Sequence, residues 1–133
     1  MMNEEAVKEI DRQAAEEKWP YPRIFDALKN SGVERYETNV LTHEIKYVGG
    51  GTSFTQPAPD GFQPLSVGPA FDEPALKKAL GRVQRGETTY AQFLGEIAAA
   101  GVPYYRVDMK PRTVTYHGQK RANKLVEKVP TRY

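Results

Sequence analysis

The sequence predicts an α+β fold: a single domain over residues 1–133, formed by internal duplication of two α-α-β-β units, with antiparallel strands and helices packed on one sheet face. Three observations carry this. Sliding the chain against itself aligns residues 3–49 with 72–118 without a gap and gives nine identities in 47 positions. Composition alone would give roughly three. Within each copy, apolar residues at helical spacing give way to strict alternation, the mark of helices followed by a hairpin. With 133 residues and 15.0 kDa the chain is one ordinary domain, and a unit of about 65 residues buries too little surface to stand alone, so the copies must share a core. The repeats run approximately 3–68 and 72–133.

The elements follow in order. Ala6, Val7, Ile10 and Ala14 form one face of a first helix after Asn3 as N-cap, and Ala75, Leu76, Ala79, Leu80 and Val83 do the same after Asp72, with Pro74 in the first turn. A break follows at Trp19-Pro20-Tyr21-Pro22 or Gly86-Glu87-Thr88-Thr89. The second helix then carries Ile24, Phe25 and Leu28, or Phe93, Leu94 and Ile97, and ends at Gly32 or Gly101. Tyr36, Thr38 and Val40 answered by Ile45 and Tyr47 predict one hairpin; Tyr105, Val107 and Met109 answered by Val114 and Tyr116 predict the other. Leu125 to Val129 predicts a third strand in the second copy, with Gln63 to Val67 as its counterpart in the first. The stretch from Gly49 to Gly61, holding Pro57 and Pro59, is expected to be a surface loop, and Gly49-Gly50-Gly51 a flexible turn.

Absences narrow the chemistry. Without cysteine there is no disulfide, thiolate nucleophile, Cys-ligated zinc or iron–sulfur cluster. None of Ser31, Ser53 and Ser66 lies in a Gly-x-Ser-x-Gly elbow, and there is no dinucleotide fingerprint or phosphate loop, so no cofactor is expected. The acidic N-terminus Met1-Met2-Asn3-Glu4-Glu5 is not a signal peptide, and no apolar run spans a bilayer, so a cytoplasmic protein is expected. Nineteen Lys+Arg against 17 Asp+Glu leave +2, too little to attract nucleic acid or an anionic membrane through the whole molecule.

The segments Gly32 to Gly49, Arg85-Gly86-Glu87-Thr88-Thr89-Tyr90-Ala91-Gln92-Phe93, Ala100-Gly101-Val102-Pro103-Tyr104-Tyr105-Arg106-Val107-Asp108 and Val126-Glu127-Lys128-Val129-Pro130 carry a family resemblance. The chain resembles the short bacterial and prophage-associated proteins of a domain-of-unknown-function family that is sometimes labelled "phage envelope protein". The resemblance covers nearly the whole chain from about Trp19 onward. Its motifs are helix-ending glycines and strand tyrosines, so it implies the order of elements and no reaction, cofactor or catalytic residue.

Three candidate sites remain. Tyr36, Tyr47, Tyr105 and Tyr116 occupy equivalent inward positions of the two copies. They are core residues, or else their hydroxyls line a pocket at the seam between the repeats, edged by Tyr104, Trp19 and Tyr21, for a small molecule or peptide. His117 shares a polar strand face with Arg106, Asp108, Thr113 and Thr115; a turn centred on Pro111-Arg112 sets it across from Arg106 and diagonal to Asp108, as an acid/base pair or as part of a solvated face. His43 is expected in an exposed turn, and two histidines so far apart are a weak metal signal, so no metal site is assigned. Finally, residues 1–18 carry six acids and three bases, while residues 103–133 carry eight bases and two acids. Arg106, Arg112, Lys120, Arg121 and Lys124 could hold nucleic acid, with Tyr104 and His117 stacking, or the two ends could neutralise one another within the molecule or across a homodimer. The leading reading is a non-enzymatic binding or regulatory module with its site between the repeats. Nucleic-acid binding is the alternative, and an acid/base enzyme using His117 and Asp108 the third.

Overall fold

The computed structural model describes residues 2–120 and 122–129. Its elements are α1 (Glu4–Glu17), α2 (Tyr21–Asn30), β1 (Arg35–Asn39), β2 (Ile45–Gly49), β3 (Thr52–Gln56), α3 (Glu73–Gln84), α4 (Tyr90–Ala99), β4 (Tyr104–Asp108), β5 (Thr113–His117) and β6 (Lys124–Lys128). The strands form one antiparallel sheet in the order β3-β2-β1-β4-β5-β6. The local signals act as expected. Asn3 and Asp72 accept hydrogen bonds from the N–H groups of Ala6 and Ala75. Thr89 and Gln92 form a reciprocal capping box at the start of α4. Gly32 (φ 93°) and Gly101 (φ 90°) take the left-handed conformation that ends α2 and α4.

The order helix, helix, three strands thus occurs twice, and the junction between the halves has a local two-fold. Glu37 and Arg106 are equivalent positions of the two halves, and they are also direct cross-strand partners in the β1–β4 pairing; Asn39 opposite Tyr104 maps onto Asp108 opposite Arg35. At the axis a residue faces its own counterpart. A like-charged pair there would repel, whereas Glu37 against Arg106 is attractive. The opposite charges at this matched position therefore complement each other across the junction.

One core spans both halves. Phe25, Leu28, Tyr47, Leu76, Leu94, Ile97, Val102 and Val107 are all buried within it. Contacts place α1 over β2 and β3 (Asp11 to Tyr47, Lys8 to Phe54), and the first residues of α2 and α4 over β1 and β4. Each hairpin turn also crosses to the other half. Arg112, between β4 and β5, pairs with Asp26 of α2 at 2.8 Å and lies 4.5 Å from the Phe25 ring centroid. His43, between β1 and β2, packs edge-on against Tyr90 of α4 and Phe62. His43 and Arg112 are themselves equivalent positions of the two halves, and both have positive φ. His43 is therefore half-enclosed by aromatic rings rather than exposed in its turn, and burial lowers its pKa.

Two expectations for the first half need correction. Residues 63–67 form no strand, and the third strand is β3, within the stretch expected to be a loop. Gly50 (φ 57°) and Gly51 (φ 78°) supply the two positive φ values of a two-residue hairpin turn, so the chain reverses at once and pairs Gly49 with Thr52. Thr-Ser-Phe-Thr-Gln has one apolar residue, which hides its alternation. The connection before β6 is longer than the one before β3, so these two strands fall outside the constant offset of the self-comparison, which misses their correspondence.

Candidate functional site

Alternation divides the sheet into two chemically different faces. Tyr36, Tyr47, Tyr105 and Tyr116 point inward, at 4%, 1%, 6% and 7% exposure, and belong to the core. The Tyr36 hydroxyl is hydrogen-bonded to that of Tyr21, and the Tyr105 hydroxyl to that of Tyr90 at 2.5 Å. These two pairs occupy equivalent positions of the two halves. Tyr21 and Tyr90 open α2 and α4 with part of each ring at the surface and the hydroxyl turned in. Tyr47 donates instead to Asp11 Oδ2 at 2.8 Å, and the fully buried Thr38 sits beside the Tyr90–Tyr105 pair. Burial raises the pKa of Tyr21, Tyr36, Tyr47, Tyr90, Tyr105 and Tyr116, so all six are neutral phenols at physiological pH. The Asp11 carboxyl is raised by burial to about 6 despite the bond from Tyr47. The seam thus holds an interior cluster in which the Tyr21–Tyr36, Tyr90–Tyr105 and Tyr47–Asp11 groups bond to one another. Trp19 takes no part: its ring stacks under the Arg23 guanidinium at 3.8 Å and its Nε1 donates to Glu17, forming the α1–α2 corner.

The outer face carries the accessible groups. Cross-strand register lines up Asn39, Tyr104, His117 and Lys124 in one row and Lys46, Glu37, Arg106, Thr115 and Val126 in the next. Tyr104 (38% exposed) and His117 stack, with ring centroids 4.6 Å apart and planes 11° from parallel. The pair walls an open cavity of about 620 Å³ whose other lining includes Pro103, Gln119, Lys120 and Lys124. A second cavity of about 450 Å³ shares Pro103 and Tyr104 and continues past Glu37, Asn39, Glu44 and Lys46. The walls are held from behind: Pro103 O accepts from Val40 N at 2.9 Å, and Gln119 Nε2 donates to Gly68 O at 3.0 Å. His117 has its pKa lowered, first by burial, against the raising influence of Glu37 and with a further lowering by Lys124 and Arg106. It is therefore a neutral imidazole at physiological pH.

This register separates the proposed acid/base pair. The β4–β5 turn is centred one residue earlier than expected, because Arg112 takes the positive-φ position at its end, so His117 faces Tyr104 and Asp108 faces Thr113. Four residues of extended strand, about 13 Å, lie between the two. Asp108 instead holds Arg106 through both of its carboxylate oxygens. Of the basic set, Arg106 and Arg112 are thus engaged by Asp108 and Asp26, Arg121 lies outside the described residues, and Lys120 and Lys124 line the cavity. Sequence reasoning grouped Tyr104 and His117 as stacking residues with Lys120 and Lys124 in the nucleic-acid reading, together with Arg106, Arg112 and Arg121; the structure brings the first four to one cavity. Sequence reasoning missed Asp11 and Gln119. A signal existed for Asp11, because its counterpart in the second half is the buried Leu80 and position 11 is therefore an inward helix position.

Fold and site together define a class: an α+β protein whose described residues form four helices on one face of a six-stranded antiparallel sheet, leaving an aromatic and basic groove on the other. The family follows from comparison with known sequences. Residues 8–128 match the model of the family described as "Protein of unknown function (DUF1398)", and the chain belongs to that family. It is also 46% identical over 105 residues to uncharacterized proteins of Mycobacterium tuberculosis and Mycobacterium bovis, covering 74% of this chain and 60% of theirs. The chain thus spans about three fifths of the length of these relatives. Their names state no ligand or activity, and the family description carries no "phage envelope" label. No helix among the described residues is long and apolar enough to cross a membrane.

Proposed function

We propose that this chain is a non-enzymatic binding module whose site is the groove on the helix-free sheet face, and that it takes a small ligand with a flat ring and an anionic group. The carrying observation is the parallel Tyr104–His117 stack set beside Lys120 and Lys124 in one cavity. A planar ring gains stacking and apolar contact against that wall, while Lys120 and Lys124, with no acid among the described lining residues, supply the anion's counter-charge. The interior tyrosines support the sheet under this site, which moves the binding surface from the seam to the opposite face. We also propose that the halves arose by duplication, a reading supported by the two-fold pairing register at β1–β4.

The ligand class is tested by equilibrium dialysis with adenosine monophosphate and phenyl phosphate beside their uncharged counterparts adenosine and phenol. Retention of the phosphates over the neutral compounds, lost in Tyr104→Ala and in Lys124→Glu, is the expected result. Equal retention of all four, or none, removes the proposal. Single-stranded nucleic acid is the competing reading, since the two cavities join at Pro103 and Tyr104, but Glu37 and Glu44 in the second cavity oppose a phosphate backbone there. Affinity that rises with oligonucleotide length and falls steeply with salt would favour it.

A further inference from the structure

We propose that the free edge of the sheet at β3 is a self-association surface, where a second copy of this chain pairs strand to strand about a two-fold at Phe54. The pairing Gly49–Thr52 closes a two-residue hairpin, so Thr52, Phe54 and Gln56 direct their N–H and C=O groups toward β2. Ser53 and Thr55 direct theirs outward, and β3 is the terminal strand of the sheet. An antiparallel copy centred on Phe54 sets Ser53 opposite the second copy's Thr55, and the reverse, which makes four backbone hydrogen bonds from the four outward donors. In the same register Phe54 meets its own image at a close, non-hydrogen-bonded position. That extends across the junction a stack already present within one chain, where the Tyr47 and Phe54 rings are 5.2 Å apart and 28° from parallel.

Charge selects this edge over the other. Strands at sheet edges are ordinarily protected by charge, proline or a bulge. β3 has no charged side chain and no proline, and all five of its pairs with β2 are regular. Its self-pairing opposes Thr52 to Gln56 and Ser53 to Thr55, with no like charges facing. The opposite edge, β6, would oppose Lys124 to Lys128 and Leu125 to Glu127 if paired with itself about Val126, so it is guarded against the same event. Lys8, whose Nζ lies 5.9 Å from the Phe54 ring centroid, has Glu5 as its own counter-ion at 3.9 Å. The interface is isologous and closes at two copies. It joins two sheets edge to edge and leaves the groove at Tyr104 uncovered, so it does not depend on the ligand proposed above.

Sedimentation equilibrium tests this, with Ser53→Lys and Ser53→Pro as variants. Ser53 is exposed, and its N–H faces away from β2, so neither change removes a bond within the chain. The wild type is expected at twice 15.0 kDa, and both variants at single mass with unchanged circular dichroism. Val126→Lys, on the other edge, is expected to leave the dimer intact. Hydrogen exchange on the unaltered chain gives an independent readout: the Ser53 and Thr55 amides are protected at high concentration and lose protection on dilution. A wild type monomeric at millimolar concentration, or a dimer that survives both Ser53 changes, overturns the proposal.

Discussion

Replacing Asp11 by asparagine should make this protein more stable at neutral pH. Asp11 is set inward on α1 and accepts from the Tyr47 hydroxyl at 2.8 Å, but burial raises its pKa from the ordinary 3.8 to about 6. Below about pH 4 the carboxyl is protonated in both the folded and unfolded chain and carries no penalty. Between about pH 4 and 6 the unfolded chain releases the proton while the folded one retains it, so stability falls as pH rises; above 6 the penalty is constant. A shift of about two units at ~1.4 kcal/mol each sets a ceiling of about 3 kcal/mol. Asparagine keeps the acceptor for Tyr47 and cannot ionise. For a domain of this size the gain in Tm is up to about 10 °C. Thermal and urea unfolding of wild type and Asp11→Asn, compared from pH 4 to 8, should give curves that coincide at the acid end and separate through pH 5–6. A difference that is constant across the range, or a variant less stable at pH 7 than at pH 4 relative to wild type, would refute the assignment.

Other outcomes follow from the same structure. Tyr105→Phe removes the partner of the Tyr90 hydroxyl and should cost about 1–2 kcal/mol in urea unfolding, with Tyr36→Phe giving a similar loss through Tyr21. Asp26→Ala breaks the ion pair by which the β4–β5 turn grips α2 and should lower stability by about 1–2 kcal/mol, more at low salt than at high. Gly49→Ala should be among the most damaging single changes, because a Cβ there would stand 2.1 Å from the Gly32 carbonyl oxygen; a loss of about 4 kcal/mol or failure to fold is expected, read by soluble yield and circular dichroism.

Much of the fold was legible because the signals were local and occurred twice. Asn3 and Asp72, Gly32 and Gly101, and the paired alternations around Tyr36 and Tyr105 each fix a helix end or a strand without help from tertiary structure. β3 was not legible from hydrophobicity, since it is an edge strand whose inward face carries Phe54 as its one apolar residue beside Thr52 and Gln56, and its signal was the Gly50-Gly51 turn. The candidate site was legible as residues of the basic C-terminal hairpin and not as the cavity they line. Register decides which outer-face side chains meet, and a shift in the centre of the Lys110–Arg112 turn moves His117 from Arg106 to Tyr104. The positive φ of Arg112 recurs at its counterpart His43, and both hairpins close on the same register, so the shift belongs to the turn geometry and not to the grip on Asp26. Neither residue is a glycine, so the sequence does not announce the left-handed position.

The most direct test of the groove is the titration of His117 by nuclear magnetic resonance, with and without phenyl phosphate. Free, His117 should titrate below the ordinary histidine value, because burial disfavours its charged form. An anion held beside it by Lys120 and Lys124 should raise that pKa, with the Tyr104 ring resonances moving in step, and Lys124→Glu should abolish the ligand's effect. Identical His117 curves and unmoved Tyr104 resonances at saturating phenyl phosphate would contradict the account.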